Sequence, residues 1–152
     1  MDTFYKGTGG ELFVNPIVKN HSGLVALTDA QFKAELAASN KPTTEQLLQR
    51  LTQARKEQER QGVTINDIRY AGDPGNRQAL QEAIAFMNDA GLTEFPGWKD
   101  SDNKFHVDHP LADVVQAYRA IGIQRVTLIA TEGNHANKII SGKLTDLKKV
   151  KW

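Results

Sequence analysis

Gly62-Val63-Thr64-Ile65-Asn66-Asp67-Ile68-Arg69-Tyr70 reads as two short alternating runs around a two-residue turn. Asn and Asp tolerate the positive φ that a tight hairpin demands. Asp73-Pro74 then announces a helix. A carboxylate there caps free N–H groups, and proline at the first helical position loses no hydrogen bond. Leu80, Ala83, Ile84, Met87 and Ala90 share one face of that helix, and Gly91 is placed to end it. Next, Trp98-Lys99 and Phe105-His106-Val107 flank the polar loop Asp100-Ser101-Asp102-Asn103, which predicts a second hairpin. Asp108 or His109 is expected to cap a further helix carrying Leu111, Val114, Val115, Tyr118 and Ile121 at helical spacing. Hairpin, helix, hairpin, helix over 62–122 is the frame on which the chain is organised.

Downstream, residues 125–131 have strand-like composition without alternation. Ile123, Val126, Ala130, Gly133, Ala136 and Ile140 instead fit one helical face. The expectation is a helix beyond Gly122, weakened by about 1 kcal/mol at Gly133 relative to alanine and ended by Gly142. A short helical turn over 145–150 closes the chain. Upstream, a helix over 44–60 carries Leu47, Leu48, Leu51 and Ala54, then fades into Arg55-Lys56-Glu57-Gln58-Glu59-Arg60, read as a solvated face.

Ser39-Asn40-Lys41-Pro42-Thr43 is the best linker, since Pro42 disfavours helical geometry at Lys41. Before it, two β-prone runs surround Gly7-Thr8-Gly9-Gly10, and Leu24-Val25-Ala26-Leu27 is a candidate third strand. Thr28 opens a helix with Gln31 at capping-box spacing, its inner side formed by Phe32, Leu36 and the stem of Glu35. About forty residues of this kind rarely bury enough surface to offset chain entropy. The segment is therefore expected to dock on something. The fold expected is α+β: an N-terminal hairpin-plus-helix module over 1–40, then a mostly helical domain with two short hairpins over 44–152.

Composition narrows the chemistry. The 152 residues carry a net charge of +1, and with no cysteine they exclude disulfides, thiolate nucleophiles and cysteine-bearing metal sites. No stretch is long and apolar enough for a membrane span or a signal peptide, so no membrane partner and no export are expected. His106-Val107-Asp108-His109 straddles a strand end and a helix cap with no third ligand, and reads as structural rather than metal-binding. Asp100-Ser101-Asp102-Asn103-Lys104 fails as a calcium loop, having Lys104 at a ligand position, Phe105 in place of the glycine and no closing glutamate. Gly7-Thr8-Gly9-Gly10-Glu11 lacks the lysine and the following helix of a phosphate cradle. Ser22, Ser39, Ser101 and Ser141 have no nucleophile setting. The Lys148-Lys149-Val150-Lys151 end, without interleaved aromatics, does not make a nucleic-acid site. Catalytic, cofactor and metal sites are all expected to be absent. Trp98 and Trp152 read as core or core-rim residues, with an interface role left open.

The 62–70 block, Asp73, Asn76-Arg77-Gln78-Ala79-Leu80, Trp98, Asp102-Asn103, the run over 111–121, Lys138-Ile139-Ile140 and residues 144–152 together resemble a domain of unknown function common in tailed-phage genes near tail fibres. That pattern usually has glycine where Asp67 stands. Phe4-Tyr5, the glycine turn and Thr28-Asp29-Ala30-Gln31-Phe32 are similar to the start of tail fibre assembly proteins. The resemblance implies a chaperone of the host cytoplasm that binds the tail fibre protein and helps it fold and trimerise without catalysis. Homo-oligomers are compatible with it. Phe4, Tyr5, Phe13 and Val14 are the expected partner contacts, as apolar residues of edge strands. A structural tail or baseplate component retained in the virion is the alternative. An enzyme acting on polysaccharide is the third reading, and no carboxylate pair can be nominated for it.

Overall fold

The computed structural model describes residues 2–16 and 23–152. Ser22 lies outside them. The fold is α+β, 54% helical and 19% strand, and the chain divides into two compact units, Met1–Thr43 and Thr44–Trp152.

In the first unit, β1 (Phe4–Lys6) lies between β2 (Leu12–Val14) and β3 (Val25–Leu27), antiparallel to both. Gly10 supplies a φ of 92° in the β1–β2 connection. Helix α1 (Asp29–Ser39) starts with the expected capping box: Thr28 accepts from Gln31 N, and the Gln31 side chain accepts from Thr28 N. Phe4 stacks on Phe32 with ring centroids 4.6 Å apart, and Lys6 Nζ pairs with Glu35 at 2.8 Å. Leu36, expected on the inner face, is instead 42% exposed. The three-residue strands are too short to cover a second helical turn. Among the described residues of this unit, none is buried.

The second unit opens with α2 (Thr44–Gln61). Gly62 follows at φ +69°, where a Cβ would lie 1.8 Å from the carbonyl oxygen of Tyr70. Only glycine lets α2 turn so closely into the next hairpin. That hairpin pairs β4 (Val63–Ile65) with β5 (Ile68–Tyr70) through Asn66 and Asp67, both at positive φ, so Asp67 adopts what glycine would. Helix α3 (Pro74–Asp89) has Asp73 as N-cap, accepting from Asn76 N, and Pro74 at its start. The second hairpin pairs β6 (Glu94–Lys99) with β7 (Phe105–Pro110), longer strands than the sequence suggested.

Helix α4 (Leu111–Ile140) runs unbroken for 30 residues, about 45 Å. The two helices expected on either side of Gly122 are therefore one. Buried Ile121 and Leu128 hold the path on either side of that glycine. Neither Asp108 nor His109 caps α4. Pro110 is the N-cap, without a side-chain hydrogen bond. Tyr70, Leu80, Val114, Ala117 and Ile121 form one core, joined by half-buried Ile65, Phe95 and Trp98. Leu47, Leu51, Ile139 and Leu144 form a second where α2 meets the far end of α4. The closing turn is a 3-10 helix, Leu147–Lys149. Trp152, read as core or rim, is 37% exposed.

Candidate functional site

The polar residues of the second hairpin converge on β5. Asp100 is buried, and its Oδ1 accepts from the backbone N–H groups of Asp102 and Lys104 at 2.8 and 2.9 Å. Its Oδ2 accepts from His106 Nε2 at 2.8 Å. The His106 hydrogen bond, with help from those backbone donors, holds the Asp100 carboxyl down to about 2. The residues that look like a failed calcium loop are thus a turn closed on its own aspartate. Arg69 clamps it from β5, donating to Asp102 Oδ1 from Nε and Nη2 at 2.9 and 2.7 Å and to the Ser101 carbonyl at 2.8 Å. Ser101 Oγ accepts from the Ala71 N–H at 2.7 Å.

His109 sits beside this turn, 2% exposed. Its Nε2 is hydrogen-bonded to the Tyr70 hydroxyl at 2.6 Å, the donor being set by the imidazole tautomer. The Trp98 ring stacks on it, centroids 5.4 Å apart. Burial pushes the His109 imidazole below its ordinary value, and nearby His106 adds to that against the opposing pull of Asp113. Burial, with the carboxylates of Asp113 and Asp100, pushes the Tyr70 phenol up to about 12. A neutral imidazole and a protonated phenol are therefore locked together at neutral pH. The cavity alongside, bordered by Arg69, Trp98 and Asp100, holds about 60 Å³. That admits water, not a sugar ring or a peptide.

A second polar centre was read from sequence as a solvated face. Glu59 is 6% exposed. It pairs with Arg55 at 2.5 Å on its own helix, with Arg77 of α3 at 3.5 Å and with Arg125 of α4 at 3.5 Å. Arg55 also binds Glu132 of α4, whose other oxygen accepts from Thr52 Oγ1 at 2.6 Å. Three arginines and two carboxylates tie three helices together, so Arg55 and Glu59 form an internal joint while Lys56, Glu57 and Arg60 of the same run stay solvated. Single-sequence patterning could not find it, because the partners come from α3 and α4.

Of the residues nominated for partner binding, Phe4 and Tyr5 lie on β1, which is the central strand. Phe4 is occupied by Phe32. The edge argument therefore applies to β2, where Phe13 and Val14 are 38% and 49% exposed, and to β3, where Val25 is 63% exposed. Among the described residues no group of three or more histidines and carboxylates is arranged to hold a metal, and no helix is long and apolar enough to cross a membrane.

Two hairpins beside a long helix, with Asp100 bonded to His106, Tyr70 to His109 and Arg69 to Asp102, define a small α+β domain. The family model described as "Domain of unknown function (DUF4376)" matches residues 42–150, and the chain belongs to that family. No curated protein matches the chain, and no solved structure does.

Proposed function

We propose that this protein is a tail fibre assembly chaperone. Its first unit binds apolar strands of the fibre protein and shields them until the fibre trimer closes, without catalysis or cofactor. The observation that carries the reading is that, among the described residues, the first unit has none buried and no further strand beside either outer strand of its sheet, β2 or β3. An edge strand offers unpaired N–H and C=O groups to an incoming strand, and alternate side chains supply selectivity. On the edge strand β2, Phe13 and Val14 are both exposed, one on each face of the strand. The resemblance of residues 1–40 to tail fibre assembly proteins supplies the client. The host cytoplasm is where such a client would be met.

Coexpression with a phage tail fibre protein tests the reading. Soluble, trimeric fibre is expected with the native chain and is expected to fall with Phe13→Asp or Val14→Asp at an unchanged circular dichroism spectrum. Fibre equally soluble and trimeric without the protein would overturn it. Mass spectrometry of purified particles separates the alternative: a chaperone is missing or substoichiometric, whereas a tail or baseplate component is present in fixed ratio to the fibre.

A further inference from the structure

Along the solvent side of α4, from Ala112 to Ile140, exposed residues recur at alternating intervals of four and three. That spacing keeps them on one face of the helix. At its middle, Ile123 and Val126 are 70% and 69% exposed. An open groove of about 740 Å³ beside Leu111, Val115 and Ala120 reaches Ile123, and a second continues past Gly122 to Val126 and Thr127. Gly122 and Gly133 lie mid-helix without positive φ, and an added Cβ would meet nothing within 4 Å at either. The fold of the chain itself gives no reason for glycine at these positions.

We infer that this face is the seam of a two-fold dimer, in which a second copy of this chain lays its α4 antiparallel against the first. The seam is lopsided: its first half carries the long side chains Gln116 and Arg119, its second half the small residues Ala130 and Gly133. An antiparallel pair with its axis between Ile123 and Val126 matches them. Ile123 meets the second copy's Val126, and the reverse, at the centre. Arg119 then lies over Ala130, Gln116 over Gly133, and Asn137 over Ala112. Every layer pairs a large residue with a smaller one, as close helix packing requires. A parallel pair would instead set Arg119 against Arg119 and Gly133 against Gly133, adding like-charge repulsion and a void. The matched stretch runs from Ala112 to Asn137, most of the length of α4. A two-fold arrangement is also self-closing. The inference concerns the second unit and does not depend on the client of the first.

Sedimentation velocity of the full chain is expected to show a dimer. Val126→Asp is expected to raise its dissociation constant by about 30-fold or more, the effect of losing a central anchor, with an unchanged far-ultraviolet circular dichroism spectrum. Gly133→Leu, which fills the socket for Gln116, is expected to weaken the dimer while favouring the helix. Because the chain has no cysteine, single cysteines report orientation. Arg119→Cys and Ala130→Cys are expected to crosslink when mixed and oxidised, and neither alone. A monomer at all concentrations, a dimer indifferent to both Val126→Asp and Gly133→Leu, or crosslinking of Arg119→Cys with itself would each overturn the proposal. The first of these also covers the case in which the chain's own first unit occupies the seam.

Discussion

Tyr70 and His109 meet through a 2.6 Å hydrogen bond that joins the end of the first hairpin to the end of the second. Both residues are 2% exposed, and two elements far apart in sequence are registered against each other by that contact. The sheet strands themselves do not make this link, since the two hairpins belong to separate two-stranded sheets.

Tyr70→Phe leaves the His109 Nε2 buried without its partner, and is expected to cost about 1–3 kcal/mol. Urea unfolding followed by tryptophan fluorescence measures it, because Trp98 stacks on His109. Full retention of stability would show that the pair is incidental to the packing.

The same pair sets two limits on pH. The His109 imidazole is depressed below 6.5 in the folded chain, so the unfolded state binds more protons just below that value. Its contribution is present above 6.5 and is lost as pH falls through the depressed value. The Tyr70 phenol is raised from 10.0 to about 12. Its contribution is present below 10.0 and lost as pH rises toward about 12. Melting temperature against pH is expected to decline on both flanks, with the alkaline decline reduced in Tyr70→Phe.

Asp100 adds a third, more acidic flank. Its carboxyl is lowered from 3.8 to about 2 by His106 and the turn N–H groups. Stability from it is present above 3.8 and lost as pH falls through about 2. Asp100→Asn is expected to destabilise the protein at neutral pH and to flatten the acid decline over that interval. An unchanged acid profile would exclude the turn as its source.

Glu59→Ala leaves Arg55, Arg77 and Arg125 around a missing counter-charge. Removing one member of a buried ion network costs about 3–5 kcal/mol. Glu57→Ala, two residues before Glu59 but exposed and paired only with Arg60 on the surface, is expected to stay within about 0.5 kcal/mol of the native chain. Denaturant titration of the two variants side by side provides the comparison.

The glycines divide in the same manner. Gly62→Ala places a methyl 1.8 Å from a carbonyl oxygen at positive φ, and is expected to cost more than about 3 kcal/mol. Gly133→Ala meets nothing and is expected to stabilise the folded chain by up to about 1 kcal/mol. Equal effects at the two sites would contradict the geometry.

Local chemistry was legible where neighbours in sequence are neighbours in space. The Asn66-Asp67 turn, the Asp73 cap, the capping box at Thr28 and the helical reading of 125–131 all rest on contacts within a few residues. What escaped depends on distant partners. His109 was read as a cap because Asp-His-Pro precedes a helix, but burial against Tyr70 takes its side chain away from that end. Arg55 and Glu59 looked solvated because nothing nearby reveals Arg77, Arg125 and Glu132. Gly122 looked like a boundary because the buried residues that carry the helix through it, Ile121 and Leu128, are revealed only by the fold. Strand order in the first unit, which puts Phe4 and Tyr5 in the middle, is likewise invisible in spacing.

The contrast between the two units has an evolutionary corollary. Since none of the described residues of the first unit is buried, it has little jigsaw to preserve, and its surface can be rewritten residue by residue with little structural penalty. The body behind it keeps two cores and a charged joint, and tolerates little change there. Sequence change is therefore expected to collect in the first unit while the two cores of the second stay as they are.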